Sequence, residues 1–531
     1  MHPRDYAQSD PERPAYIMYG SGESMSYAQL DERSNRCAQL LRNCGLKIGD
    51  GIAIFMENNI HYLELCWAAQ CSGLYFTCIP THLGIEEVEY IINDSNARII
   101  FTGTETAHIA QALPGKIDDS INRYAVGCEI AGYQDYLHES ERMPAEPVSD
   151  ETSGRDMLYS SGTTGRPKGI RVPLSGDPID ELNDLQKLTR TQYGFDKETI
   201  YLSPAPLYHA APLRFTMLVQ RFGGTVIIME KFDAEKALAA IEHYRVTHSQ
   251  WVPTMFIRML KLPEEIRQAY DLGNQKVAIH AAAPCPIEVK RQMIEWWGPI
   301  LYEYYSGSEP CGLCCINTEQ WLANPGSVGP TVFGVLHILD EQGNELGPGE
   351  EGLVYFANGL DFSYHKDPDK TAATRNEKGW TTLGDLGYLN EKGFLFLTDR
   401  SANVIISGGV NIYPQECENL LVTHHKVLDA AVFGIPNADF GEEVKAVVQL
   451  VDKGEAGSEL EEELIDYCRQ TISPIKCPRS IDFAAELPRR ANGKLYKRLL
   501  KDKYRTQSNL NIHNDELSNK KSRSMKMGVQ K

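Results

Sequence analysis

The run Tyr159-Ser160-Ser161-Gly162-Thr163-Thr164-Gly165-Arg166-Pro167-Lys168-Gly169-Ile170 places the tightest limit on what this chain can fold into. One short loop holds four Ser/Thr hydroxyls, three glycines and two cations. Glycines let successive backbone N–H groups converge on an anion, hydroxyls add donors, and Lys168 with Arg166 supplies compensating charge. The residues just before, Asp156-Met157-Leu158-Tyr159, read as the end of a buried strand. The loop is therefore expected at a strand's carboxyl edge, where open α/β sheets collect ligands. It is not a Walker A loop: Gly162 and Gly165 stand too close, Pro167 interrupts, and Gly169 rather than Ser or Thr follows Lys168. A flexible polar linker uses the same residue types, so the loop alone leaves a phosphate site and a linker both open.

At 531 residues the chain exceeds what one hydrophobic core supports, so two or more domains are expected. The balance of 53 basic against 72 acidic residues, −19 overall, argues against nucleic acid or an anionic membrane as the main partner. The amino terminus is charged with no apolar run behind it, so no signal peptide is expected. The most apolar stretch, 62–80, is interrupted by Glu64, Gln70 and Gly73 and falls short of a membrane span. Thirteen cysteines without a secretion signal suit free thiols in a reducing cytoplasm. Cys311, Cys314 and Cys315 have no second Cys/His cluster at matching spacing, which favours buried thiols over a metal site.

Hydrophobic periodicity predicts a helix over 26–44, with Ser26 and Gln29 as a capping box and Gly45 as its stop. Strands follow at 52–56 and 98–102, with a helix after Asn59 between them. After the loop the alternation resumes, with strands at 225–229, 276–280 and 301–305 and helices at 234–244 and 287–297. From Val335 short strands joined by Asp/Asn/Gly turns predict a small β-rich subdomain. The predicted class is α/β: a large N-terminal domain of α/β subdomains plus that β-rich subdomain (1–399), then a mobile small α+β C-terminal domain (400–505). A disordered polar tail (506–531) is expected to follow.

The loop resembles the phosphate-binding signature of the adenylate-forming superfamily: acyl- and aryl-CoA synthetases, adenylation domains of peptide synthetases, and luciferases. Further matches occur in the family's order across residues 10 to 505 and look most like bacterial fatty-acyl-CoA synthetases, including branches that activate bulky alicyclic or steroid side-chain acids. The resemblance implies ATP, Mg2+ and coenzyme A as reactants, with Ser160, Ser161, Gly162, Thr163, Thr164, Gly165 and Lys168 on the phosphates. Ala281-Ala282-Ala283-Pro284 resembles the adenine-site lining, from which Ala282 is taken as a contact. Glu303-Tyr304-Tyr305-Ser306-Gly307-Ser308-Glu309 resembles the Tyr-Gly-x-Thr-Glu element, with Ser306 replacing Gly and Ser308 replacing Thr. It implies Glu303, Tyr304, Tyr305 and Ser308 at the nucleotide, Glu309 on Mg2+ and Tyr304 with Ser306 at the acid. Asp385, in Trp380–Tyr388, matches the ribose-binding Asp, and Arg400 follows it in the next element. Lys494, in Leu487–Leu495, matches the catalytic lysine. His209, in Pro206–Ala211, is placed beside the substrate carboxylate, and Gly408 with Gly409 on the pantetheine arm of coenzyme A. One departure concerns the hinge, where relatives carry Asp or Lys two residues after the arginine and this chain has Ala402.

The expected activity is an ATP-dependent acid:CoA ligase working through acyl-AMP, in the cytoplasm, with a small carboxylic acid as partner. A stand-alone enzyme loading a carrier protein, an aryl-CoA ligase, and a nucleotide-binding regulatory protein without catalysis are the other readings. Monomer and homodimer are both open.

Overall fold

The computed structural model describes residues 1–161, 167–437, 440–489 and 495–504, with Ser161 by its backbone alone. The tail expected to be disordered, the loop residues 162–166 and the segment 490–494 with Lys494 lie outside these residues.

Two sheets, one parallel and one mostly parallel, form the bulk of the large domain. The first has six strands, in the order Gln134–Asp135, Asn122–Ala125, Ala97–Thr102, Gly51–Phe55, Tyr75–Cys78 and Arg155–Asp156. Gly51–Phe55, at its centre, is buried at every position, as a strand covered by helices on both faces must be. The second sheet has nine strands. Six neighbours run parallel: Leu301–Tyr305, Val277–His280, His248–Trp251, Ile200–Ser203, Thr225–Ile228 and Pro14–Met18. Antiparallel strands close both of its edges. The strand at 301–305 and the helix at 287–297 fall where periodicity predicts them. Helix Tyr27–Asn43 is capped by Ser26 with Gln29, buries Leu30, Ser34, Cys37 and Leu41, and gives way to Gly45 at φ 79°. The apolar stretch after residue 61 is a buried ten-residue helix, Tyr62–Cys71, followed by a strand. Among the described residues no helix is long and apolar enough to cross a membrane.

Asp156–Tyr159 does not end a single buried strand. The parallel strand stops at Asp156, and Tyr159–Ser161 then pairs antiparallel with Pro167–Arg171. The residues that flank the phosphate-loop candidate are thus the two arms of an antiparallel pair, a few residues beyond the end of the parallel strand. A third strand, Ser363–Tyr364, completes this small sheet by pairing Tyr364 with Ile170. Gly169 is required here by close approach, since a Cβ would lie 2.9 Å from the Tyr159 ring.

The β-rich part is a five-stranded antiparallel sheet built from Ser327–Gly329, Leu395–Arg400, Thr381–Leu389, Gly352–Ala357 and Val335–Leu339. The C-terminal α+β part centres on the long hairpin Val427–Asn437 and Gly441–Leu450, with Ser480–Ala484 alongside in parallel and helices Pro414–Leu421 and Ser458–Arg469. One apolar cluster runs from Trp251, Phe256 and Trp297 of the large domain into Val422, Val427 and Ala430 of the small one. Lys261 Nζ donates to the His424 carbonyl beside it, at 3.4 Å. All thirteen cysteines are free thiols, and Cys311, Cys314 and Cys315 are buried.

Candidate active site

A cleft of about 2070 Å3 opens where the two parallel sheets, the hairpin, the β-rich sheet and the C-terminal part meet. Its lining includes Ser160, Lys168, His209, Ala282, Tyr304, Tyr305, Ser306, Ser308, Glu309, Asp385 and Arg400, residues widely separated in sequence. Residues 162–166 and Lys494 lie outside the described residues. Arg489 and Leu495, on either side of the latter, form an antiparallel bridge, and both line the cleft.

The strand Leu301–Tyr305 carries successive side chains to opposite sides. Tyr305 donates to Asp385 Oδ2 at 2.7 Å, and Arg400 Nε lies 3.1 Å from Asp385 Oδ1. Asp385 and Arg400 sit opposite one another in the β-rich sheet, so backbone register sets their pairing. Tyr304 stacks on Phe215 with ring centroids 5.8 Å apart and accepts from Gln250 Nε2 at 3.4 Å. Ser306 Oγ donates to the Gly312 carbonyl at 2.7 Å, closing the turn that carries Ser308 and Glu309. Glu309 Oε1 accepts from the Tyr364 hydroxyl at 2.9 Å. Among the described residues no cation forms an ion pair with this carboxylate.

Glu303, on the same strand, has a different environment. It is buried, with Lys290 Nζ at 2.6 Å and His280 Nε2 at 3.7 Å, and the Lys290 ammonium also lies 4.9 Å from the Trp321 ring. Burial pushes the Glu303 carboxyl upward, and Lys290 counters this only in part. Ala282 adopts φ 77°, a left-handed conformation uncommon outside glycine, at the end of the strand Val277–His280. Such strain concentrates at ligand sites, where the surrounding structure holds it in place. His209 stands at the N-terminus of helix Ala210–Arg221 with its ring edge-on to Tyr208, 4.6 Å between centroids.

Lys168 reaches over the Tyr364 ring, 5.7 Å from its centroid. Burial and the neighbouring Lys370 ammonium both lower its pKa. Gly408 and Gly409 form the two-residue tip of the hairpin pairing Ser407 with Val410, at φ 58° and 81°. This is the positive-φ geometry that favours glycine in short hairpins, and the tip is not part of the cleft lining. Around Ala402 the chain makes a single 3-10 turn, Ser401–Asn403. Asp399 fastens this turn, accepting from Asn403 Nδ2 at 3.2 Å and, through Oδ2, from the Gln415 backbone N–H at the start of the helix Pro414–Leu421.

Sequence reasoning overlooked Arg214, Asp156 and Tyr364. Arg214 makes a forked pair with Asp156, at 2.7 Å for Nη2 and 3.2 Å for Nε, and both terminal nitrogens approach the Ser308 carbonyl, at 3.4 and 3.5 Å. Burial alone would raise the Asp156 carboxyl, but the Arg214 guanidinium, with Arg155 adding to it, holds the group below the usual carboxylate range. The position of Arg214, five residues past His209 in the helix Ala210–Arg221, was the only local signal.

Residues 4–359 match the AMP-binding enzyme family, and residues 416–494 match the AMP-binding enzyme C-terminal domain. The chain belongs to the AMP-binding enzymes. It is 29% identical over 514 residues to the long-chain-fatty-acid–CoA ligase FadD13 of Mycobacterium tuberculosis, covering 94% of this chain and 97% of that protein. It is 30% identical over 484 residues to a feruloyl-CoA synthase of Amycolatopsis sp., covering 90% and 93%. The crystal structure of ATP-bound MatB from Rhodopseudomonas palustris superposes with a TM-score of 0.79 at 26% identity, covering 95% of this chain and 99% of that one.

Proposed function

We propose that this chain activates a carboxylic acid with ATP, forming acyl-AMP and pyrophosphate, and then transfers the acyl group to coenzyme A. The convergence of Ser160, Lys168, Glu309 and the Tyr305–Asp385–Arg400 cluster on one cleft carries this reading. In the first step a carboxylate oxygen attacks the α-phosphorus, and the bond to the bridging oxygen breaks with its electron pair leaving on pyrophosphate. The acid is already ionised at pH 7, so no general base is needed; His209 positions the carboxylate. In the second step the coenzyme A sulfur attacks the acyl carbonyl, its proton is released, and AMP departs.

Charge is the obstacle to bringing two anions together, and fixed cations and donors are the remedy. The phosphate hairpin, 160–168, holds the phosphates with Lys168, while Asp385 accepts from the ribose hydroxyls beside Arg400. Tyr304, Ser308 and Ala282 border the nucleotide, and Lys494 bridges the acid carboxylate and the α-phosphate. Glu309 suits Mg2+, a hard cation that takes one or two carboxylates together with substrate phosphates. When bound, that ion neutralises charge on the phosphate oxygens. Its fit rests on the Glu309 carboxylate, half-buried in the cleft with a neutral hydroxyl as partner. Glu303, which also lines the cleft with its charge met by Lys290, borders the nucleotide. Gly408 and Gly409 reach coenzyme A after the C-terminal domain, 400–505, rotates about the turn at Ala402. We place the enzyme in the cytoplasm.

The acid body lies against Tyr208, Phe215, Leu218, Trp251, Val252 and Tyr304, an apolar and aromatic wall that suits a fatty, alicyclic or steroid side-chain acid. The stacked Phe215–Tyr304 pair and the feruloyl-CoA synthase relative also favour an aryl acid. Hydroxylamine trapping of acyl-AMP over a panel of free acids, with and without coenzyme A, tests both. One acid class should give hydroxamate that depends on ATP and acyl-CoA when coenzyme A is added. No ATP-dependent product from any class, or turnover indifferent to coenzyme A, overturns the proposal.

A further inference from the structure

Tyr364 joins two parts of the cleft that the sequence keeps far apart. Its backbone pairs with Ile170 in the arm of the hairpin that carries Lys168. Its hydroxyl donates to Glu309 Oε1 at 2.9 Å, and its ring face receives the Lys168 ammonium at 5.7 Å. The side chain is 9% exposed and is packed among Ile170, Cys311 and Phe362.

We propose that Tyr364 is a positioning residue that fixes the Glu309 carboxylate for a divalent cation and the Lys168 ammonium for the phosphates in one stroke. This rests on the ligase reading above. A glutamate has three rotatable side-chain bonds, and a fixed hydrogen bond to one oxygen holds the other in a single direction. Partners that orient a metal-binding carboxylate typically change metal affinity about 10- to 100-fold when removed. The ring acts separately: its face restrains Lys168 whether or not a cation is present.

Two variants divide these roles. Tyr364→Phe removes the hydroxyl and keeps the ring; Tyr364→Leu removes both. Calorimetric titration of the full chain with ATP, with and without MgCl2, measures binding independently of turnover. Tyr364→Phe should weaken the gain in ATP affinity that Mg2+ brings by about tenfold, leaving metal-free ATP binding as in the wild type. Tyr364→Leu should also weaken metal-free ATP binding about threefold, the weight of an exposed cation–π contact. In a Glu309→Gln background, Tyr364→Phe should add nothing. Thermal melts check that each variant is folded, and Tyr364→Trp, which keeps a ring face, rescues metal-free binding if the Leu variant melts early. Equal Mg2+ enhancement in wild type and Tyr364→Phe overturns the proposal. So does an equal effect of Tyr364→Phe with and without Glu309, which would make the tyrosine a packing residue. If no acid supports ATP-dependent product formation, the ligase reading fails, yet the titration still decides the role of Tyr364.

Discussion

Glu303 and Glu309 lie six positions apart in one segment and are held in opposite ways. Glu303 is buried against Lys290 at 2.6 Å, its charge answered inside the protein. Glu309 is half-buried in the cleft, and the bond described for its carboxylate comes from a neutral tyrosine. A carboxylate matched by a lysine steadies a fold; one oriented by a hydroxyl keeps its charge for a visitor. Under the proposed function, the difference separates an internally paired acid from a cation-binding one in a way that spacing alone does not.

Breaking the internal pair should have the largest effect. Lys290→Met leaves Glu303 buried without a counter-charge and should destabilise the protein by about 3–5 kcal/mol, read as the shift in a urea unfolding curve. Unchanged unfolding would show that Glu303 is neutral in the folded state and remove the contrast. Glu309→Gln should do the reverse, cutting adenylation about 100-fold, or about 2.7 kcal/mol of transition-state stabilisation, with little change in unfolding. A variant that unfolds early instead would place Glu309 with the structural acids.

Asp156 tests whether the Arg214 fork belongs to the same group as the Glu303 pair. Asp156→Asn should cost about 2 kcal/mol at neutral pH, because the guanidinium loses its charged acceptor. The sign of the pH dependence follows from the depressed carboxyl. Its stabilising contribution is present above the unfolded value, about 3.9, and is lost as pH falls through the lower folded value. The melting gap between wild type and variant should stay constant from pH 7 to about 5 and narrow below about 4. A gap that widens in acid would contradict the ion pair. Ser306→Ala sets the small end of the scale, about 1 kcal/mol for one neutral hydrogen bond to Gly312, measured by the same unfolding curves.

Elements with local signals were legible in the sequence. The helix beginning at Tyr27 announces its start through Ser26 and Gln29, and the strand and helix at 301–305 and 287–297 follow apolar periodicity. The hairpin was not legible, because the strand that completes it, Ser363–Tyr364, comes from far downstream and no local pattern names that partner. The cleft residues with family-like motifs, from Ser160 to Arg400, could be named in advance. Arg214 and Tyr364 could not. Each matters through what it touches across the fold: Arg214 through the Ser308 carbonyl, Tyr364 through Glu309 and Lys168. Glu303 lines the cleft as its motif neighbours suggest, but no local pattern marks its ion pair with Lys290 on the preceding helix.

The late arrival of that third strand has a bearing on how the protein is made. A ribosome that has released the Lys168 arm still has to deliver Tyr364 before the small sheet can close, and Asp385 and Arg400 emerge later again. ATP therefore cannot act as a folding aid for the early nascent chain. The first parallel sheet must form and persist on its own apolar interior, and nucleotide can stabilise only a nearly finished polypeptide.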